Sequence, residues 1–387
     1  MKIVVLDDNW PQTALLIHEL HRQKVDVLYV APTTISRRGL GRYCRHRRSP
    51  PMTRLDYAGF LIDLLAAEPH DFVLPVCDPL QRLAWRLPEP FGSRVFPTTT
   101  AEQRHLLDDR RALYALATML GVPVPRMLPV PALDTAASVG RDLGWPLVFR
   151  GTQGCGGEQV RIVRNHRQMI EAYAALSERS PEPPFAQEFV SGECYLIGAL
   201  LDHGRALQTF AQVAVEVFPA STGPSIRVRS INDSKMVGYA TRLFAALGWH
   251  GLACAEFVRA TNGELRFLEI NPRPWGSIQA AEACGAPMLR PFVQLLKGDA
   301  VDPPRPYVVG REVALFPAYL GGCIRSNRFP RIQDIGRYLR MGRAMPWAHP
   351  GLLFHATQQL FWQWRFLKQR KSLAVASARP NSQAPRT

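Results

Sequence analysis

The sequence predicts an α/β fold that opens with a parallel sheet and passes into an α+β part built on hairpins. Residues 1 to 95 alternate short β-rich runs (KIVVLD, DVLYVA, DFVLPV) with amphipathic stretches (PQTALLIHELHR, RLDYAGFLIDLLAA). That alternation is the pattern of βαβ units in a parallel sheet. From WPLVFRG onward the order changes to strand, glycine-rich loop and strand. Further on, Asn262-Gly263, the strongest short hairpin signal, lies between two apolar-rich runs.

The composition bounds the rest. A chain of 387 residues with 47% hydrophobic residues has room for two or three domains with real cores. Its seven cysteines are odd in number and form no CxxC pair, which argues against a disulfide framework and a zinc site and fits a reducing, cytoplasmic compartment. MKIVVLDDNW places acids directly after a short apolar run, so it reads as a buried strand and not as a signal peptide. No run reaches the roughly 18 apolar residues of a membrane span. The net charge of +15 is concentrated at the end, where twelve Lys and Arg after Gly321 stand against Asp334 alone. A second cluster comprises Arg37, Arg38, Arg42, Arg45, Arg47, Arg48 and Arg54. The two blocks are separate and lack interleaved aromatics, so no nucleic-acid partner is expected.

The elements follow in order. The first strand-to-helix turn, DDNWPQ, holds no glycine, so the phosphate cradle of a dinucleotide fold is missing. The Thr98 to Thr100 cluster opens a helix that is expected to run through AEQRHLLDDRRALYALATML to Gly121, before the proline-punctuated linker GVPVPRMLPVPA. In FRGTQGCGGEQVRIV, Gly151, Gly154, Gly156 and Gly157 lie between two strands, where successive amides can point at an anion. A plain flexible hairpin is the alternative, and Arg150 beside the loop favours phosphate. FAQEFVSGECYLIGAL reads by itself as an edge strand, and NHRQMIEAYAALSE and DSKMVGYATRLFAAL as helices.

AEFVRATNGELRFLEINPRPWGS carries the chemistry. A two-residue turn at Asn262-Gly263 puts Glu256 directly opposite Glu269, a like-charge pair that destabilises a sheet by up to about 1 kcal/mol. A cation is therefore expected between them. Residues two apart share a strand face, so Glu269, Asn271 and Arg273 point with Glu256, while Leu268 and Ile270 point into the core. Hard oxygen ligands at this density suit Mg²⁺ shared with substrate phosphates, and the guanidinium suits a phosphate oxygen. The alternative is an exposed hairpin whose acids are solvated beside Arg259 and Arg266.

With these motifs in place, residues 1 to about 295 resemble the ATP-grasp superfamily. LEINPRPWGS is similar to the carbamoyl-phosphate-synthetase-like and carboxylate-amine ligase branch. The resemblance implies a pre-ATP-grasp domain (1–95), a linker helix and Pro-rich connection (96–126), a small subdomain with the glycine loop (127–190) and a large subdomain with the metal hairpin (191–320). A basic helical region (321–371) and a disordered tail (372–387) would follow. It further implies that Glu256, Glu269 and Asn271 hold Mg²⁺, or Mn²⁺ in its place, between the phosphates of ATP, and that Arg273 contacts the transferred phosphoryl group. Gln187, Glu188, Phe189 and Val190 would read adenine, Glu193 the ribose hydroxyls, and Gly154, Gly156 and Gly157 would cover the β- and γ-phosphates. Where most members carry lysines, this chain offers Arg110 or Arg111, with DDR favouring Arg110, and Arg150. Carbamoyl-phosphate synthetases also use arginine at both places.

On the acceptor side, FPASTGPSIRVRSIND resembles the segment lining the acceptor pocket. If it is extended, Ser225, Arg227 and Arg229 share a face on which an arginine could hold the substrate carboxylate, with a basic surface strand as the alternative. The activity implied is an ATP-dependent carboxylate-amine or carboxylate-thiol ligase working through an acylphosphate on small-molecule substrates. Its rivals are a carboxylase or acid kinase of the same fold, or an inactive nucleotide-binding protein at the membrane. The C-terminal stretch HPGLLFHATQQLFWQWRFLKQRKS, apolar and then cationic, predicts either peripheral contact with an anionic membrane or a helix packed on the body. A homodimer is compatible with this reading.

Overall fold

The computed structural model describes residues 1–8, 10, 12–32, 39–52, 56–132, 136–151, 160–177, 183–219 and 223–341. Gly154, Gly156, Gly157, the C-terminal amphipathic stretch and the tail lie outside these residues. Among the described residues no helix is long and apolar enough to cross a membrane.

The first sheet is parallel, as the βαβ alternation predicts, in the order Arg45–Arg48, Asp26–Ala31, Lys2–Leu6 and Phe72–Pro75. Its central strands are apolar almost throughout because helices such as Thr13–Arg22 and Tyr57–Ala67 lie against them. A six-stranded antiparallel sheet follows, ordered Leu265–Asn271, Gly251–Ala260, Gly192–Asp202, Arg205–Val217, Ser225–Ser230 and Glu312–Ala314. The third sheet is antiparallel and smaller: Met127–Pro129, Phe185–Glu188, Leu147–Arg150 and Val160–Val163.

The parallel sheet and the six-stranded sheet share their cores. Ile3, Leu15 and Tyr29 join Phe210, Cys254, Trp275 and Phe292 in one cluster, and Leu6, Leu80 and Trp85 join Phe244, Trp249 and Phe257 in another. The small sheet has its own core of Val130, Leu147, Phe149, Val163 and Met169.

The linker departs from the single helix expected. Thr100 and Gln103 form a capping box that starts Ala101–Asp108, and a second helix, Arg110–Met119, starts at Asp109, whose side chain accepts from Arg111 N. Aspartate is a poor interior residue and a good N-cap, so the Asp108-Asp109 pair divides the helix here.

Candidate active site

The carboxylate pair is positioned by a hairpin in which two irregularities cancel. The turn holds three residues, 261–263, closed by Ala260 N to Glu264 O and Gly263 N to Ala260 O at 2.8 Å each, with Gly263 at φ +86°. It is therefore one residue longer than the expected two-residue turn, and Phe257 pairs with Phe267. A bulge after Phe267 leaves Leu268 out of the ladder and restores the register, so Glu256 faces Glu269 as predicted. Ile270 points inward as expected, but Leu268, also expected in the core, is half-buried and Phe267 is buried in its stead.

The bulge also turns the Leu268 carbonyl toward the second linker helix. Arg110 Nη1 donates to it at 2.9 Å and Tyr114 Oη at 3.1 Å. The same Arg110 Nη1 lies 2.9 Å from Glu269 Oε2, and Arg150 Nη2 lies 3.7 Å from that oxygen. Both arginines thus stand on the Glu269 side of the pair, and among the described residues the expected cation does not reach Glu256. Arg111 turns back to Asp109, 3.0 Å away, so of the two it is Arg110 that reaches the carboxylates.

Asn271 Nδ2 donates to Glu256 Oε1 at 3.0 Å and to Glu269 Oε1 at 3.3 Å, while its Oδ1 accepts from Arg273 Nη2 at 3.2 Å. Arg273 is otherwise committed: Nε and Nη2 lie 2.9 and 2.8 Å from Asp78 Oδ2, and the guanidinium sits 4.6 Å over the Trp10 ring. It ties the hairpin to the first domain, where Asp78 begins the helix Asp78–Ala84. A cleft lined by Asp78, Gln81, Arg82, Arg110, Glu269 and Asn271 opens beside it.

The electrostatics of the pair are uneven. Desolvation, reinforced by the Glu269 charge, pushes Glu256 up to about 8. Glu269 suffers the same desolvation, yet the charges of Arg110 and Arg150 hold it below the usual carboxylate range. Burial, followed by the charge of Arg110, pulls Arg150 down to about 10. Arg110 Nε and Arg150 Nε are buried without a hydrogen-bond partner. The cluster therefore holds a carboxylate short of positive charge and two guanidinium donors short of an acceptor. These residues fit a divalent cation and an anion bound together, and the oxygen donors Glu256, Glu269 and Asn271 are of the type Mg²⁺ takes.

The expected hinge lies at the mouth of this cluster. Gln187 is buried, and its Oε1 accepts from Arg150 Nη1 at 3.2 Å. Glu188 accepts from Arg126 N at 3.0 Å through its side chain and donates to Arg126 O at 2.8 Å through its backbone. Phe189 and Val190, half-buried, connect the small sheet to the large one.

Three expected residues are not brought to the carboxylates. Register directs Leu196 and Cys194 to the Glu256 face and Glu193 to the other, where Glu193 accepts from Tyr195 Oη at 2.8 Å. Arg227 and Arg229 do share a face, as the extended reading requires, but it is again the opposite one, because Arg229 pairs with Val213, Val213 with Tyr195 and Tyr195 with Phe257. Arg227 is buried against Asp334, with Nη1 to Oδ1 at 3.0 Å, and against Tyr319 Oη at 2.8 Å. Arg229 is 47% exposed, and among the described residues its ion pair is with Glu312, at 4.0 Å.

Two site residues escaped the sequence reading. Tyr114 carries a signal, since it stands four residues after Arg110 on one helix face. Asp78 carries a weaker one, an Asp-Pro start at the carboxyl end of a parallel strand.

The chain is similar to known proteins in sequence and in fold. The ATP-grasp domain family matches residues 108–277. The carbamoyl phosphate synthase large chain of Thermus thermophilus is 27% identical over 231 residues, 54% of this chain and 22% of its own length. That of Rubrobacter xylanophilus is 28% identical over 250 residues, 60% of this chain and 23% of its own length. The chain thus spans less than a quarter of these relatives. Among solved structures, a biotin carboxylase from Campylobacter jejuni in complex with β,γ-ATP superposes with a TM-score of 0.67 at 13% identity, covering 80% of this chain and 74% of that one. An ADP complex of N5-carboxyaminoimidazole ribonucleotide synthetase superposes with a TM-score of 0.64 at 14% identity, covering 84% of each chain. Residues 108–277 thus match the ATP-grasp domain family, and the chain is similar to carbamoyl phosphate synthase large chains over part of its length.

Proposed function

We propose that the protein is an ATP-dependent ligase that joins a small carboxylic acid to an amine through an acylphosphate, releasing ADP and phosphate. The observation that carries this reading is the imbalance at the hairpin: Glu256 is short of a counter-ion while Arg110 Nε and Arg150 Nε are short of an acceptor. A triphosphate with its divalent ion supplies both deficits at once.

Glu256, Glu269 and Asn271 would hold the Mg²⁺, which when bound screens the phosphate charge and polarises the bond to the transferred group. Arg110 and Arg150 would hold phosphate oxygens, in the bidentate manner open to a guanidinium and closed to an ammonium. Their cost of burial is already met in the folded protein, so they are preorganised for charge that develops on the phosphoryl group. Gln187 would keep Arg150 aimed, and Glu188, Phe189 and Val190 would border the adenine. Gly154, Gly156 and Gly157 are assigned to the phosphate cover. Arg273, whose Nε, Nη1 and Nη2 are taken by Asp78, Pro274 O and Asn271, would orient Asn271 rather than hold the transferred phosphoryl group.

In the first step a carboxylate oxygen of the acid attacks the γ-phosphorus, the bond to the β-bridging oxygen breaks, and ADP leaves with that electron pair. An amine nitrogen then attacks the acyl carbon, phosphate leaves, and the nitrogen loses a proton to water. No side-chain nucleophile is needed, since the work is positioning and electrostatic stabilisation.

The test is ATP turnover with Mg²⁺ over pooled acids, bicarbonate included, and amines, scored for ADP and phosphate against AMP and pyrophosphate. Acid- and amine-dependent ADP that disappears in Glu269→Ala supports the ligase. ADP that depends on bicarbonate alone points to a carboxylase. AMP production sinks the proposal.

A further inference from the structure

The long hairpin between Gly192–Asp202 and Arg205–Val217 ends in a two-residue turn, because Arg205 pairs with Asp202. Both turn residues take positive φ, His203 at +47° and Gly204 at +87°. Histidine tolerates that conformation but is not demanded by it. Gly204 N donates to Trp249 O at 2.7 Å, which draws the segment before the strand Gly251–Ala260 against the turn. His250 consequently lies beside Asp202 and stacks on His203, with ring centroids 4.3 Å apart and an interplanar angle of 21°.

Three ligand atoms, one each from Asp202, His203 and His250, lie within 4.8 Å of one another. His250 Nδ1 is buried, makes no hydrogen bond of normal geometry, and stands 3.4 Å from Asp202 Oδ1. A hydrogen bond would be shorter. Two ligands on a tetrahedral zinc, each about 2.0–2.1 Å from the metal, stand roughly 3.3 Å apart. The other oxygen, Asp202 Oδ2, accepts from Arg205 Nη2 at 3.1 Å, the kind of outer partner that orients a metal-bound carboxylate.

We infer that Asp202, His203 and His250 form a binding site for a divalent cation of the zinc class, separate from the oxygen-ligand site at Glu256 and Glu269. Two imidazoles and a carboxylate suit Zn²⁺, Ni²⁺ or Cu²⁺ over Mg²⁺, with remaining positions left to water. The seven cysteines point away from a zinc site, but none of these three ligands is a cysteine. The site would clip the hairpin turn to the 249–251 segment, close to Phe96, whose ring meets His250 edge-on at 5.3 Å.

The experiment is a Zn²⁺ titration of chelator-stripped full-length protein against a chromophoric chelator. Wild type should bind a zinc equivalent that weakens by more than about tenfold in His203→Ala and in His250→Ala, since losing a ligand costs at least as much as losing an outer partner. The same equivalent should persist in Glu269→Ala, which separates this site from the candidate active site. His203 is exposed, so its substitution leaves the fold intact, and an unchanged Tm verifies that. No zinc uptake by wild type, or equal uptake by His203→Ala, overturns the inference.

Discussion

Two arginine–carboxylate clusters sit on opposite faces of the six-stranded sheet, and they differ in how their charges balance. On one face Arg110 and Arg150 meet Glu269, and among the described residues no cationic nitrogen lies within 4.0 Å of Glu256. On the other face Arg227 is surrounded by acids: it is bidentate to Asp334, 3.6 Å from Glu216 and 3.7 Å from Glu312, and stacked 4.9 Å over Tyr319. In the first cluster Glu256 has no such cation beside it; in the second each acid has an arginine within 4.0 Å, although Arg227 Nε itself makes no hydrogen bond. A buried charged cluster that lacks a counter-ion is a place for a ligand, whereas one that has gathered its counter-ions is a brace. By this criterion the Arg227 network pins the helix Ile332–Met341 to the strand Ser225–Ser230, and the Glu256 cluster is the place proposed for phosphate and metal.

The largest expected effect tests the brace. Arg227→Ala strands Asp334 without its base, which costs about 3–5 kcal/mol. The variant should unfold at markedly lower urea, while turnover per folded molecule stays near wild type. Loss of turnover without loss of stability would reverse the roles of the two faces.

Arg110→Ala should show the opposite profile. Glu269 keeps Arg150 and the Leu268 carbonyl keeps Tyr114 Oη, so stability falls less than in Arg227→Ala. Turnover should fall about 10²–10³-fold, the usual cost of one preorganised donor to a developing charge. Equal turnover in mutant and wild type would remove Arg110 from the phosphate site.

The third test uses pH. Glu256 has its folded pKa raised from the ordinary 4.5 to about 8, so between these values the native state holds a proton that the unfolded state has lost. Stability from this group is present below pH 4.5 and declines as pH rises through the window, by at most about 1.4 kcal/mol per pH unit. In metal-free buffer Glu256→Gln should therefore gain in Tm over wild type as pH rises from 5 to 8, although it is inactive. A constant gap across that range would show that Glu256 is not desolvated in the apo protein.

How much of this was legible in the sequence depended on how local the cause was. The facing of Glu256 and Glu269 is written within one hairpin, although the expected pairing emerged from a longer turn and a compensating bulge. That Arg110 and not Arg111 reaches Glu269 was only favoured, because it depends on the break at Asp109, which is consolidated by a carbonyl 158 residues away. The face occupied by Arg227, Arg229 and Glu193 was not legible, since it follows from register passed across four strands. The partner of Arg227, Asp334, lies 107 residues further on. Alternation predicts which residues share a face, and only tertiary pairing says which face that is.

The smallest effect is the sharpest for the acceptor side. Arg229 shares its strand face with Arg227 but is solvent-exposed, and its one ion pair among the described residues, with Glu312, is 4.0 Å long. Such a contact contributes within about 0.5 kcal/mol, so Arg229→Ala should leave Tm almost unmoved. Turnover and the KM for the acid should be equally indifferent, because the side chain faces away from Glu256. A rise in that KM with unchanged kcat would mean that the acid is gathered on the outer face before it reaches the phosphate, and the division of the sheet into a reactive and a structural face would fail. An unchanged KM would confine the acceptor to the Glu256 face, where Leu196 and Cys194 border the carboxylates and become the next positions to vary.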